Sequence, residues 1–131
     1  MSTIYLAGKI LDKDNWHGWR ANAEAHLKAS GHIVLCPECD TSNSLLLNQG
    51  TKDWAAQIVK NDFNLVRTVD VLLVEASEAS EGTAMEVMYA KQLGITNIMF
   101  GLDRNSAFMI HFGDFFLPDL ESALKFIDDN H

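Results

Sequence analysis

Residues 70–100 read DVLLVEASEASEGTAMEVMYAKQLGITNIMF, and they indicate the fold class. This segment begins with a short apolar run, Asp70–Glu75, passes through a polar loop into a helical stretch, Gly82–Leu93, and ends in a second apolar run, Ile95–Phe100. Gly94 follows the helical stretch, and glycine is a common helix stop because it tolerates the left-handed conformation. Two short buried strands joined by a helix are typical of a parallel β–α–β unit.

The flanking segments repeat this alternation of apolar runs and amphipathic stretches. Strands are predicted at Thr3–Ala7 and His32–Cys36, and helices from Asp14 or Asn15 to Ser30, from Thr51 to Thr68, and from Pro118 onward. Residues 38–50 are rich in Ser, Thr and Asn and predict a loop, whereas residues 101–116 match no single element. The alternation predicts one α/β domain, residues 1–131, built on a parallel sheet.

The negative net charge of the chain argues against nucleic acids and membranes as its partners. Ten Lys and Arg against eighteen Asp and Glu give the 131 residues a net charge of −8. Both nucleic-acid backbone and anionic membranes require clustered positive charge. The N-terminus lacks the layout of a signal peptide, and no apolar run reaches the length of a membrane span. We therefore expect a cytoplasmic protein that binds a small molecule, with no nucleic-acid polymer and no membrane as its partner.

Motifs for cofactors and metals are missing from the sequence. Cys36-x-x-Cys39 lacks two further ligands at zinc-site spacing, and it precedes a polar loop rather than the helix that a thioredoxin-type pair opens. The glycine-rich motifs that bind dinucleotides or nucleoside triphosphates are also missing. We expect no cofactor and no metal.

The predicted topology indicates where a ligand would bind. In an open parallel sheet, ligands bind outside the carboxyl ends of the strands. The loops that begin at Ala7 and Ala76, after the first and third strands, are therefore expected to line one shared crevice.

Asp62 interrupts the apolar stripe of the helix predicted at Thr51–Thr68. It lies four residues after Ile58 and four before Val66, so it projects from the core-facing side of the helix. A carboxylate there is unfavourable unless it is paired or faces a cavity. Two interpretations stay open: a carboxyl of raised pKa that can donate a proton at the edge of a pocket, or an Asp bound to a backbone amide or to Arg67.

The segment from Ser80 to Glu86 also has two interpretations. Thr83-x-x-Glu86 fits a capping box, which is a purely structural role. In the functional interpretation, Gly82 lets the backbone approach a ligand closely. Glu86 then lies in the first helical turn, where free amides and the helix dipole keep it ionised as a nucleophile toward a sugar carbon.

Three motifs together resemble the nucleoside 2-deoxyribosyltransferase family, including its relatives that hydrolyse deoxynucleoside 5′-monophosphates. They span most of residues 3–100 and are Ile4-Tyr-Leu-Ala-Gly8, Asp62-x7-Asp70-Val-Leu-Leu-Val74, and Gly82-Thr-Ala-x-Glu86-x-x-Tyr89-Ala90 followed by Leu93-Gly94. The resemblance implies a flavodoxin-like, doubly wound parallel sheet of about five strands flanked by helices, and an N-glycosidic bond as the target. It also implies that Glu86 is the nucleophile, that Tyr5 positions it, and that Asp62 interacts with the leaving base.

Departures from the family pattern bear on the substrate. Family transferases often place an acidic residue six positions before the nucleophile, where this chain has Ser80. The monophosphate hydrolases have a serine there that they use toward phosphate, and they contribute a Ser-Ala segment across a dimer interface, which Ser106-Ala107 resembles. Their basic cluster after the first strand is reduced here to Lys9 and Lys13.

The resemblance therefore implies a small-molecule site and an oligomer. The residues expected to bind substrate are Gly8, Lys9, Ser80, Gly82, Thr83 and Ser106. Family members complete the pocket across an interface, so a homodimer or higher homo-oligomer is expected. Three functions stay open: exchange or cleavage of the N-glycosidic bond of a (deoxy)nucleoside or its 5′-monophosphate, strict hydrolysis of a monophosphate, and nucleotide binding without catalysis.

Overall fold

A computed structural model of the chain describes residues 1–8, 18–36, 50–78, 80–103 and 106–131. Strands and helices alternate along it in the order β1 Thr3–Ala7, α1 Gly18–Ala29, β2 Ile33–Leu35, α2 Lys52–Val66, β3 Val71–Glu75, α3 Glu81–Gln92, β4 Thr96–Phe100, α4 Ala107–Phe112, β5 Phe115–Leu117 and α5 Leu120–Asn130. The predicted β–α–β unit and the strands and helices around it are confirmed to within about three residues wherever both ends are described.

The strands described here form one parallel sheet in the order β2-β1-β3-β4-β5. Tyr5 of β1 is in register with Leu72 of β3, and Ala7 with Val74. From this central pair the chain winds outward in both directions, so the carboxyl ends of β1 and β3 flank the topological switch point. The α/β, doubly wound fold class is therefore confirmed.

Both faces of the sheet are covered by helices. Ile4 and Leu6 point into a core shared with α1 and α5, whereas Tyr5 and Ala7 point into a core shared with α2, α3 and α4. Strands buried on both faces read as continuous apolar runs, which is why β1 and β3 were recognisable in the sequence.

Local chemistry accounts for the helix ends. Thr51, Ser80 and Asp119 cap α2, α3 and α5, and the side chain of each accepts a hydrogen bond from the backbone amide three residues later. Gly31 and Gly94 follow α1 and α3 with φ of +91° and +78°. This left-handed conformation confirms the glycine stop predicted at Gly94, and Gly31 ends α1 in the same way.

Two sequence expectations change in the structure, and others fall on residues that the structure does not describe. Residues 101–116 contain a six-residue helix, α4, and the start of a three-residue strand, β5, both too short for a periodic signal. The apolar stripe of α2 is only partly covered: Val66 is buried, but Val59 is 53% exposed. The predicted start of the first helix at Asp14 or Asn15, most of the predicted loop, and Cys39 lie outside the described residues.

None of the helices in the described ranges is both long enough and apolar enough to cross a bilayer.

Candidate active site

A tyrosine of β1 and a glutamate of α3 form a buried pair. Tyr5 is fully buried, and its hydroxyl donates a hydrogen bond to Oε2 of Glu86. Glu86 itself is only 6% exposed. A carboxylate withdrawn from water this far needs such a charge-assisted hydrogen bond to stay ionised. The two residues lie 81 positions apart in the chain, and the fold brings them into direct contact.

Glu86 lies deeper in its helix than the sequence pattern indicates. Helix α3 begins at Glu81, with Ser80 as its N-cap, so Glu86 falls in the second turn and not the first. Thr83 is therefore not the cap, and the expected capping box with Glu86 does not form. Because the helix dipole acts mainly within the first turn, the Tyr5 hydroxyl replaces it as the stabilising partner of Glu86.

The start of α3 contains two hydroxyls, those of the half-buried Ser80 and the buried Thr83, and a glycine. Ser80 Oγ accepts a hydrogen bond from the Thr83 amide at 3.2 Å and lies 3.0 Å from Thr83 Oγ1. Gly82 is exposed, and a Cβ built there would meet a single described atom within 4 Å, Ser80 Oγ at 3.9 Å. Packing of the described residues does not require a glycine at this position, and its small size leaves the helix N-terminus open to a ligand.

Asp62 is half-buried on α2 and has no partner among the described residues. Within the described ranges its carboxyl binds neither a backbone amide nor Arg67, which is exposed and forms the C-cap of the helix. Burial away from water raises the pKa of Asp62 from 3.8 to about 6. Of the two interpretations of this residue, the geometry favours an unpaired carboxyl that can carry a proton near neutral pH.

An aromatic stack joins α2 to α3 beside these carboxyls. The rings of Phe63 and Tyr89 are stacked, with centroids 4.5 Å apart and an angle of 14° between their planes. Phe63 follows Asp62 on α2. Tyr89 lies three residues after Glu86, so these two side chains lie on the same side of α3. The stack therefore fixes the spacing of the two helices that carry the carboxyls.

The exit of β1 is held by Arg20, a residue that no sequence motif singles out. Arg20 is 1% exposed, and its Nη2 donates a hydrogen bond to the carbonyl oxygen of Gly8 at 2.6 Å. A Cβ built on Gly8 would lie 3.1 Å from both Glu75 Cβ and Trp19 Cζ2. A Cβ at Gly8 would therefore be tightly packed, and Glu75 or Trp19 would have to move slightly to accept it.

Two further predicted substrate contacts are Lys9 and Ser106, and only Ser106 is described by the structure. Lys9 lies outside the described residues. Ser106 is half-buried before α4, where its side chain makes no capping hydrogen bond, and in the described part of the chain no hydrogen bond links it to Tyr5 or Glu86. Among the described residues, no three His, Cys, Asp or Glu side chains are grouped so that they could hold a metal ion.

The fold and this geometry define a class: a doubly wound α/β domain in which a tyrosine of β1 and a glutamate of α3 form a buried pair, and a half-buried carboxyl lies on helix α2. The chain matches the profile of the family described as nucleoside 2-deoxyribosyltransferase over residues 4–119, and it belongs to that family. The resemblance inferred from the three motifs is thereby confirmed.

Solved structures with the same fold include enzymes of nucleoside chemistry. The 2-deoxyribosyltransferase of Bacillus psychrosaccharolyticus superposes with a TM-score of 0.74 at 21% identity, covering 93% of this chain and 90% of that one. A conserved protein from Enterococcus faecalis V583 superposes at 0.77 with 15% identity, covering 100% and 99%.

The CMP N-glycosidase of Clostridium botulinum superposes at 0.65 with 16% identity, covering 96% of this chain and 98% of that one. A search of curated proteins finds no match. At these identities the structures establish a common fold, and together with the family match they support a nucleoside-directed glycosyl transferase or hydrolase.

Proposed function

We propose that this protein breaks the N-glycosidic bond of a (deoxy)nucleoside or its 5′-monophosphate through a covalent glycosyl–Glu86 intermediate. The contact between Tyr5 and Glu86 carries this proposal. A buried carboxylate is a costly group for stability alone, and its contact with a buried hydroxyl suits a nucleophile whose orientation must be fixed.

The first half of the reaction transfers the sugar to the protein. An oxygen of Glu86 attacks C1′ from the face opposite the base and forms a C1′–O bond. The C1′–N bond breaks, its electron pair passes to the base, and protonated Asp62 donates its proton to a ring nitrogen. This division of roles between a carboxylate and a carboxylic acid resembles that of retaining glycosidases.

The second half releases the sugar. A water molecule or a second base attacks C1′, and the electron pair of the broken ester bond returns to the Glu86 carboxylate. The proton lost by the attacking group passes to the Asp62 carboxylate, which restores the starting state. With a pKa of about 6, Asp62 is available in both protonation states near neutral pH.

Tyr5 positions the nucleophile in this scheme. Its hydrogen bond to Oε2 restricts the orientation of the Glu86 carboxylate before the substrate binds. As the ester forms, the negative charge on Glu86 disappears, and the Tyr5 hydroxyl keeps the carboxyl group in place for the second half-reaction.

The N-terminus of α3 is our candidate for the site of the 5′ substituent. The hydroxyls of Ser80 and Thr83 flank the exposed Gly82, and helix N-termini favour anions such as phosphate. Lys9 would add a positive charge, and Gly8 would keep the backbone close to the sugar. The serine at position 80 favours a monophosphate as the second candidate substrate, because a hydroxyl tolerates a phosphate that a carboxylate would repel.

The functional unit is proposed to be a homo-oligomer. Phe108 on α4 is 70% exposed, Met85 on α3 is 56% exposed and Ile110 is 46% exposed. Large exposed apolar side chains on neighbouring helices are typical of an interaction surface. A partner subunit docked there would bring its own Ser106, which precedes α4, toward the substrate.

One assay separates the alternatives. Purified protein is incubated with each deoxynucleoside and each 5′-monophosphate, with and without a second free base, and the products are separated by chromatography. Base release that needs the second base identifies a transferase, and release in water alone identifies a hydrolase. Tight binding without any release would overturn the proposal in favour of a binding module. The matched control is Glu86→Gln, which is expected to bind but not to release base.

A further inference from the structure

Arg20 is among the largest fully buried side chains in the described part of the chain, with 1% of its surface exposed. Removing a guanidinium from water is unfavourable unless its donors and its charge are matched. Nη2 of Arg20 donates to the Gly8 carbonyl at 2.6 Å, and its guanidinium carbon lies 4.9 Å from the centre of the Trp19 ring. This buried charged residue therefore contacts both the backbone at the exit of β1 and the neighbouring indole.

The α1 side of Gly8 is closed. Trp19 and Glu75 each come within 3.1 Å of the position that a Gly8 Cβ would occupy, and Arg20 Nη2 comes within 3.5 Å. The Trp19 ring in turn makes an edge contact with Phe100 at the end of β4, with centroids 5.3 Å apart. The exit of β1 is thus fixed from one side by a rigid set of neighbours.

The opposite side of the same strand faces the proposed chemistry. Side chains alternate along a strand, so Tyr5 points to the α3 side, where its hydroxyl meets Glu86. Three residues later the carbonyl of Gly8 is bound by Arg20. Strand β1 and its exit therefore connect Tyr5, which binds Glu86, to the Gly8 carbonyl, which Arg20 binds from the opposite side of the sheet.

We infer that Arg20 is a positioning residue: by holding the Gly8 carbonyl, it fixes the exit of β1 in the orientation that substrate binding requires. This inference rests on the proposed function, in which Gly8 lies against the sugar. Arg20 acts through the backbone and does not touch the reacting atoms.

Arginine suits this task better than other side chains. Its planar guanidinium can donate along one edge while its face packs on an aromatic ring, and lysine provides neither the plane nor the fork. A charge-assisted hydrogen bond to a carbonyl restricts the peptide more strongly than a neutral one. Misplacement of a substrate contact by about 1 Å can lower a rate by about 100-fold.

The test compares Arg20→Met, which keeps much of the volume, and Arg20→Lys, which keeps the charge, with wild type. Arg67→Met is the matched control, because Arg67 is exposed at the end of α2. All variants are assayed at a temperature where circular dichroism shows them folded, and kcat and KM are measured separately. If Arg20→Met does not fold, Arg20→Lys decides the result.

Loss of positioning is expected to raise KM by about tenfold or more and to lower kcat/KM by about 30-fold in Arg20→Met, with partial recovery in Arg20→Lys. Arg67→Met should stay within about twofold of wild type. A purely structural role would lower the active fraction, so a fall confined to kcat, with KM unchanged, would overturn the inference. Full activity in Arg20→Met would overturn it as well.

Failure of the proposed function gives a different result, because wild type would then release no base. Hydrogen exchange at the amides of Ala7 and Gly8 would in that case decide about Arg20. Faster exchange in Arg20→Met, but not in Arg67→Met, supports an anchor at the exit of β1. Unchanged exchange contradicts it.

Discussion

Replacing Asp62 with Asn should stabilise the protein at neutral pH and have little effect in acid. Burial raises the pKa of this carboxyl from 3.8 to about 6, so its ionised form is less favourable in the folded chain than in the unfolded chain. At about 1.4 kcal/mol per pKa unit, and discounted because the half-exposed carboxyl still reaches water, the ionised form lowers the free energy of unfolding by about 1 kcal/mol.

The sign follows from which state binds the proton. Because the folded-state pKa lies above the unfolded-state value, the penalty is absent below pH 4, develops between about pH 4 and 6, and is complete above that. Asn is neutral throughout. Asp62→Asn should therefore raise Tm by about 4 °C at pH 8, and the gain should vanish at pH 4 or below.

Differential scanning calorimetry from pH 4 to pH 8 measures this gain directly. The matched control is Asp53→Asn on the same helix, because Asp53 is exposed in the first turn of α2. An ionised carboxylate near a helix N-terminus is favourable, so this control should lower Tm at neutral pH, the opposite sign. A gain for Asp62→Asn that is equal at pH 4 and pH 8, or a loss at pH 8, would refute the assignment of an unpaired carboxyl of raised pKa.

The proposed mechanism and the proposed oligomer give four further expectations. Asp62→Asn should slow the release of poor leaving bases more than that of activated ones; steady-state rates over a series of bases test this, and equal losses would argue against an acid. Tyr5→Phe removes a hydrogen bond to a charged group and should lower kcat/KM by about 10- to 100-fold, as measured by base release, whereas an unchanged rate would remove Tyr5 from the positioning of Glu86. Ser80→Ala removes the cap of α3 and should cost about 1 kcal/mol in thermal unfolding, while raising KM for a monophosphate more than for a nucleoside; equal KM changes would place the phosphate elsewhere. Light scattering should show wild type as a dimer or larger and Phe108→Glu as a smaller species, and a monomeric wild type would contradict the proposed oligomer.

The central elements of the fold were predictable because their signals are local. Strands β1 and β3 are continuous apolar runs, and the stops of α1 and α3 are glycines whose positive φ the chain requires. Strand β5 has three residues, Phe115–Leu117, and exists because β4 supplies its partners, such as Ile98 opposite Phe115. A run this short has no period to detect.

The candidate site was predictable only in part, because its geometry depends on contacts distant in sequence. Ser80 and Thr83 are equally good caps by composition, and the extended backbone at Ser80, with φ −80° and ψ 168°, decides between them. Glu86 was therefore placed one turn too early. Its contact with Tyr5 was expected from resemblance to a family and from no local pattern.

Arg20 shows where sequence reasoning stops. Arg20 is the third residue of α1 and directly follows Trp19. An arginine there gives the same sequence pattern whether it is solvated or buried, because its stem is apolar and its head is charged. Only the docking of α1 against the exit of β1 places its guanidinium 2.6 Å from the Gly8 carbonyl.

The central claim is that the carboxylate of Glu86 forms a bond to C1′ of the sugar. Mass spectrometry of the protein, quenched in acid during turnover of a slow substrate, measures this directly. The account predicts one glycosyl adduct, located on the peptide that contains Glu86 and missing in a Glu86→Gln variant that still binds the substrate. An adduct on another residue, or base release by Glu86→Gln at the wild-type rate, would contradict it.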